Sequence, residues 1–307
     1  MSTPLVISVS EDRLARALDD LIPSLDIVRW DLSVPAPREH IDIVVPDYLA
    51  PTSRLAQLSG VDTRLVQSQS IGYDGVGAVL PPGILYANAA SVHEASTAEL
   101  AVALILASQR GLKHFLAAGD RGEWSFAFHE SLADRTVLLL GFGGVGRAIA
   151  SRLAPFEVNI IRVARSARYQ SDQLVHSWTE LPDLLPRSDI VVISLPLTAE
   201  TTQLVDGEFL SRMTDHSLLV NVGRGALVDT DAMLREANRG RLRFALDVVD
   251  PEPLPLGHPL FSLDNLIITP HVGGASSAMF PRVLQLIRTQ IERLARGEEP
   301  LNVVLRT

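Results

Sequence analysis

The apolar run Thr136-Val-Leu-Leu-Leu140 leads without a break into Gly141-Phe142-Gly143-Gly144-Val145-Gly146 and on into Arg147-Ala-Ile-Ala-Ser-Arg-Leu153. No other segment restricts the fold as much. The run reads as a buried strand, and 145–153 reads as a helix. The glycines between them have separate tasks. One permits the tight turn, one lets the backbone approach an anion, and one allows close packing of helix on strand. The first amides of the helix and the positive end of its dipole favour negative charge at that point. A glycine string alone would be weak, but in this strand–turn–helix order it predicts a pyrophosphate cradle.

Elsewhere, short apolar and β-branched runs alternate with helical stretches, which predicts an α/β fold with mainly parallel sheets. Strands are expected at 5–9, 27–30, 41–45 and 63–67, with helices at 11–21 and 52–58. A long helix is expected from about 97 to 118, opened by the capping box Ser96-Thr-Ala-Glu99. Its body, Leu100-Ala-Val-Ala-Leu-Ile-Leu-Ala107, is apolar on every face, so it is buried inside a domain or at an interface. Further strands are expected at 136–140, 159–163, 190–195, 218–222, 244–248 and 266–269, and a final helix over about 277–294. The pattern implies two Rossmann-like domains with parallel sheets and a deep cleft between them. A dinucleotide-binding domain spans 98–274, and a discontinuous substrate (catalytic) domain takes 1–97 plus 275–307.

Composition narrows the function. With 307 residues, 47% of them hydrophobic, the chain can bury cores of this size. Its net charge of −9, with no local block of Lys and Arg, lacks the electrostatic footprint of a nucleic-acid coat or a basic membrane-surface binder. The absence of cysteine excludes disulfides, thiolate zinc sites and cysteine nucleophiles. The run from Leu100 to Ala107 is far too short to cross about 30 Å of hydrocarbon. The start, Met1-Ser-Thr-Pro-Leu-Val, has no basic segment ahead of a long apolar one, so a leader is not expected and the cytoplasm is. His40, His114, His129, His176 and His216 have no metal-ligand spacing, and no metal is expected. No GxSxG elbow supports serine hydrolysis.

The end of the second strand after the glycine turn decides which dinucleotide fits. An acidic side chain there binds a ribose 2′-hydroxyl. This chain has Arg162-Val-Ala164-Arg165-Ser166-Ala-Arg168 instead, with Ala164 at the expected acidic position. Without that carboxylate a 2′-phosphate meets no repulsion, and Arg165 and Arg168 can pair with it. NADP is therefore the expected cofactor, with NAD possible.

Chemistry-bearing side chains sit in Val220-Asn-Val222-Gly223-Arg224-Gly225, in Asp247-Val-Val-Asp250-Pro-Glu252-Pro253 and in Thr269-Pro-His271-Val-Gly273-Gly274. Each lies at or just past the C-terminal end of an expected strand, where open α/β sheets place ligands. Arg224 can hold a carboxylate bidentately and polarise a neighbouring carbonyl. His271 is the natural proton donor near neutral pH. A carboxylate against the far ring nitrogen would hold the imidazole and favour its charged form, and Glu252 fits. Asp250 and His258 suit turns and surface. His93 fits a capping or hinge role as well as one facing the cleft.

Taken together, these segments resemble the NAD(P)-dependent D-isomer-specific 2-hydroxyacid dehydrogenases over nearly the full chain. The matching landmarks also include Ser70-Ile71-Gly72-Tyr-Asp74 and Ser194-Leu195-Pro196-Leu-Thr198. The resemblance implies Arg224, Glu252 and His271 as the catalytic set. It implies that Asp247 contacts the nicotinamide carboxamide, that Leu195, Pro196, Thr198, Val222, Gly223 and Gly273 line the cofactor, and that the Ile71 and Gly72 amides meet the substrate carboxylate. It further implies a homodimer, with the helix 97–118 and the segment around Trp124 at the contact.

Within that resemblance the glyoxylate/hydroxypyruvate reductases fit best, reducing a small 2-oxo acid to the D-2-hydroxy acid. Formate dehydrogenases carry Gln where Glu252 stands, and phosphite dehydrogenases carry Lys where Ile71 stands. Phosphoglycerate dehydrogenases place an Arg near 67–70, and many add a regulatory domain. Many glyoxylate/hydroxypyruvate reductases have Arg where this chain has Phe280, which leaves the substrate itself open. A dinucleotide-sensing scaffold of the corepressor type shares the Arg–Glu–His set and is the reading from a different class.

Overall fold

The computed structural model describes residues 4–21 and 24–307. Met1, Ser2, Thr3, Ile22 and Pro23 lie outside the described residues, and with them the very start of the chain, where no leader is expected. The chain divides into two compact units, Met1–His93 with Ser277–Thr307, and Glu94–Ser276.

The first unit begins with β1 (Leu5–Val9), α1 (Asp12–Arg16), β2 (Leu25–Arg29), β3 (Ile43–Val45), β4 (Leu65–Gln67) and β5 (Leu85–Ala87), in the parallel order β2-β1-β3-β4-β5. Its central strands β3 and β4 are buried on both faces, as strands inside a parallel sheet must be. Ile43 and Val45 join Ile7, Val9 and Leu65 in one core, while Val44 joins Val66 and Tyr86 in the other, following the two-residue period of a strand. The helix expected over 11–21 is shorter, with α1 giving way to a 3₁₀ turn at Asp19–Leu21, and Thr52–Leu58 is also 3₁₀.

The second unit runs through α2 (Glu94–Gln109), α3 (Leu112–Asp120), β6 (Thr136–Leu140), α4 (Gly144–Leu153), β7 (Asn159–Ala164), β8 (Arg168–Gln170) and β9 (Gln173–Ser177). It continues with α5 (Leu181–Leu184), β10 (Ile190–Ile193), α6 (Gly207–Arg212), β11 (Leu218–Asn221), α7 (Thr230–Asn238), β12 (Arg243–Leu246) and β13 (Leu266–Ile268). The sheet order is β13-β12-β11-β10-β6-β7-β9-β8, parallel except for β8. The chain then returns to the first unit as α8 (Met279–Ala295) and β14 (Val303–Arg306), the latter antiparallel to β5.

The long helix expected over 97–118 is two helices. Gly111 breaks it in the left-handed conformation (φ 63°), and the His129 ring packs where a side chain would begin. The first of the two starts earlier than expected, at Glu94, so Ser96 is buried inside it and no capping box forms. Its apolar faces are used within the second unit, where Ala98, Ala101, Leu104 and Ile105 pack with Ile149 and Leu153 of α4. The hairpin β8–β9 was not expected. Its two-residue turn, Ser171-Asp172, takes positive φ at both positions (50° and 60°) without the usual glycine. No helix among the described residues is long and apolar enough to cross a membrane.

One polar cluster ties the first sheet together. Buried Asp42 accepts from the Val6 amide (2.9 Å), and His40 lies between Asp42 (3.3 Å) and Asp62 (2.7 Å). The bond to Asp62, with the charge of Asp42 behind it, raises the His40 pKa above its usual 6.5. A group raised on folding contributes stability fully below its unfolded value and loses it as pH rises through its folded value. The protein is therefore expected to lose Tm from about pH 6.5 upward, more steeply than the His40→Gln variant. Thermal unfolding across that range checks this; parallel curves for the two proteins would remove the cluster from the pH dependence.

Candidate active site

The strands β6, β7, β10, β11, β12 and β13 are mutually parallel, so their C-terminal ends share one edge of the sheet. Every candidate residue of the second unit lies at that edge. Gly141 follows β6 in a positive-φ conformation (106°) with its amide on the Val163 carbonyl (2.9 Å). A Cβ on Gly146 would stand 2.0 Å from the Gly141 oxygen, so only glycine lets α4 start this close to the strand. At Gly143, by contrast, a Cβ would meet nothing within 4 Å: the backbone there faces open space. The amides of Gly144, Val145 and Gly146 open the helix and find no acceptor among the described residues. Free amides, a dipole and an open approach together fit the pyrophosphate of a dinucleotide.

Ala164 ends β7, and the arginines beside it occupy different places. Arg165 pairs with Glu200 (2.7 Å), both partners being largely exposed. Arg168 reaches back toward the Phe142 carbonyl (3.4 Å) from the edge strand β8, rather than from the start of a helix. Arg162 lies with its guanidinium 5.7 Å from the Phe142 ring centroid, and burial pushes its pKa down. Ser166 sits in the loop between β7 and β8. Ser194 donates to the Gly141 carbonyl (3.0 Å), which ties the end of β10 to the glycine turn. Beyond it, Thr201 braces Leu195-Pro196-Leu-Thr198 by donating to the Pro196 carbonyl (2.8 Å) and accepting from the Thr198 amide (2.8 Å).

Arg224 follows β11 in extended backbone, its guanidinium donating to the Gly223 carbonyl (2.8 Å). Asn221, buried and unremarked in the sequence reading, grips this loop from both sides. Its oxygen accepts from the Gly223 amide (3.0 Å) and its nitrogen donates to the Arg224 carbonyl (2.8 Å). A polar residue closing the otherwise apolar strand Leu218-Leu-Val220 was the only signal. Val222, next along, is buried in the core that Ala98, Ala101 and Ile149 share.

Asp247, at the end of β12, is almost fully buried and accepts three bonds: from the Thr269 hydroxyl (2.6 Å), the Val272 amide (2.9 Å) and the Gly273 amide (2.8 Å). It therefore fixes the loop that carries His271. That histidine is left-handed (φ 54°), a conformation that costs energy outside glycine, and its amide is held by the Asp247 carbonyl (2.7 Å). Its Nδ1 lies 2.6 Å from Glu252 Oε1, with both side chains part-exposed. The other ring nitrogen, Nε2, meets no partner among the described residues.

Gly225 locks the arginine loop to the glutamate loop, because a Cβ there would stand 1.8 Å from the Val249 oxygen. Gly225→Ala is expected to lower stability by about 1–3 kcal/mol and to reduce turnover as well, since both loops must shift. Denaturant unfolding of the variant measures this; native stability would mean that the peptide at Val249 yields freely. Ile71 and Gly72 belong to the first unit, just past the C-terminal end of β4.

Comparison with known proteins bears on this edge. Residues 102–273 match the family described as D-isomer specific 2-hydroxyacid dehydrogenase, NAD binding domain. The glyoxylate reductase of Pyrococcus horikoshii is 34% identical over 260 residues, covering 79% of this chain and 76% of that one. A D-isomer specific 2-hydroxyacid dehydrogenase from Xanthobacter autotrophicus Py2, solved with NADPH and MES, superposes with a TM-score of 0.83 at 26% identity, covering 99% and 98% of the two chains. An NADPH-dependent glyoxylate/hydroxypyruvate reductase from Sinorhizobium meliloti, solved with NADP and malonate, gives 0.80 at 26% identity, over 99% and 97%.

Proposed function

We propose that this chain, which belongs to the D-isomer specific 2-hydroxyacid dehydrogenase family and is an NAD(P)-dependent oxidoreductase, reduces glyoxylate- or hydroxypyruvate-sized 2-oxo acids and prefers NADPH. The observation that carries the reading is the imidazole of His271 held on Glu252 (2.6 Å), on a loop fixed by buried Asp247 and locked to the Arg224 loop at Gly225.

The open backbone at Gly143 and the free amides of Gly144, Val145 and Gly146 would receive the pyrophosphate. Phe142, Leu195, Pro196, Thr198, Val222, Gly223, Asp247 and Gly273 would line the rest of the dinucleotide. Bound reduced nicotinamide supplies the hydride. Arg224 pairs with the substrate carboxylate and stabilises charge arising on the carbonyl oxygen. In the first unit, the amides of Ile71 and Gly72 are available to a substrate carboxylate. His271 gives its Nε2 proton to the oxygen as the carbonyl is reduced. Glu252 keeps the ring oriented and offsets its positive charge. The exposed side chains of Trp124, Phe126 and Phe128 support the expected homodimer.

NADPH preference rests on Ala164, Arg165, Ser166 and Arg168. The exposed pair between Arg165 and Glu200 is worth little, so a 2′-phosphate can take the guanidinium over. Steady-state reduction of glyoxylate and hydroxypyruvate with each reduced cofactor tests the reading. NADPH is expected to be favoured about tenfold or more in kcat/KM, and the double variant Arg165→Ala, Arg168→Ala to lose that margin while NADH values hold. A tenfold advantage for NADH would refute the preference. Tight dinucleotide binding without turnover of any 2-oxo acid would instead favour the sensing scaffold.

A further inference from the structure

The loop after β4 is pinned from one side. The Gln69 carbonyl accepts from His93 Nε2 (2.6 Å), the Ser70 carbonyl from the Ala89 amide (2.8 Å) and the Ile71 carbonyl from Asn88 Nδ2 (2.8 Å). A carbonyl can only accept, so His93 carries its proton on Nε2 here. In a trans peptide the carbonyl and the following N–H point in opposite directions. With the carbonyls of Ser70 and Ile71 drawn inward, the amides of Ile71 and Gly72 are turned outward, and neither meets an acceptor among the described residues. The preceding amide, that of Ser70, is satisfied on the Ser68 hydroxyl (3.0 Å).

Asn88 and His93 are both buried, as is Gln69, whose amide donates to the Pro46 carbonyl (2.9 Å) of the loop after β3. The His93 ring also lies 5.5 Å from the ring of Tyr48 in that same loop. Two buried donors from the segment after β5 thus set the direction of peptides after β4, and tie them to a second loop at the same edge of the sheet.

We propose that Asn88 and His93 are positioning residues for substrate recognition: Asn88 aims the Gly72 amide at an anionic carboxylate, and His93, by holding the peptide between Gln69 and Ser70, fixes the base of the loop that carries the Ile71 amide, neither side chain touching the carboxylate. The inference rests on the reading that these amides receive the 2-oxo acid. Losing the donor at Asn88 frees the peptide between Ile71 and Gly72 to rotate, which removes one amide from the carboxylate and leaves the dinucleotide cradle in the second unit as it was. The loss therefore falls on substrate affinity.

The experiment compares wild type with Asn88→Ala, His93→Phe and His93→Gln, reading KM and kcat for glyoxylate, the NADPH Kd by fluorescence titration, and Tm. Asn88→Ala and His93→Phe are expected to raise KM about tenfold or more, with kcat within about threefold and the NADPH Kd unchanged. His93→Gln returns an N–H donor and is expected to recover most of the loss. If Asn88→Ala does not fold, the His93 pair decides alone. A KM within about twofold of wild type in folded His93→Phe, or KM and NADPH Kd rising together, overturns the assignment. Because wild type is measured in the same series, failure of the enzyme on every 2-oxo acid marks the loss of the underlying reading instead.

Discussion

Replacing His271 with alanine is expected to lower kcat for 2-oxo acid reduction by about 10²–10⁴-fold, the usual worth of a positioned general acid. The size follows from how the ring is held. Glu252 takes Nδ1 at 2.6 Å, and the backbone beneath is fixed through Asp247, so the remaining nitrogen has one direction in which to deliver a proton. Alanine removes that proton source without disturbing the bonds from Val272 and Gly273 to Asp247, which are made by backbone amides. The NADPH Kd is therefore expected to stay near wild type while single-turnover reduction collapses. A variant retaining more than about a tenth of the wild-type kcat would move the proton donor to another group.

Arg224→Lys is expected to lower kcat/KM by about 10²–10³-fold although the charge is kept. Lysine presents a point charge where the guanidinium presents a fork, so it cannot hold a carboxylate by two bonds and polarise the adjacent carbonyl together. The fold is expected to survive, because Asn221 grips the backbone on either side of position 224 and needs nothing from its side chain. Steady-state kinetics beside a thermal melt separates the two effects. Turnover within about threefold of wild type in a stable protein would remove the guanidinium fork from substrate recognition.

The sequence was most informative where chemistry sits on short segments that end apolar runs. The glycine turn, Arg224, Glu252 and His271 could all be named because residue type and spacing carry their meaning. Partners that act through backbone atoms could not. Asn221 and Asn88 matter because of carbonyls and amides whose positions exist only after folding, and an isolated Asn at a strand end has many other uses. The same holds for the helix break: a lone glycine at 111 is weak against a long apolar pattern, and the His129 ring that occupies its empty side comes from a segment with no regular structure. The strands β8, β9 and β14 are short, and no glycine marks the turn between the first two.

The second unit is continuous along the chain, whereas the sheet of the first is completed by β14, which lies more than two hundred residues after its partner β5. On the ribosome this imposes an order. The nucleotide-binding half can finish folding while its neighbour still lacks α8 against one face and a strand along one border. Until residues 303–306 emerge, β5 offers a bare row of backbone donors and acceptors to any passing strand. Nascent chains paused late in translation are thus the form of this protein most exposed to wrong pairing along that border.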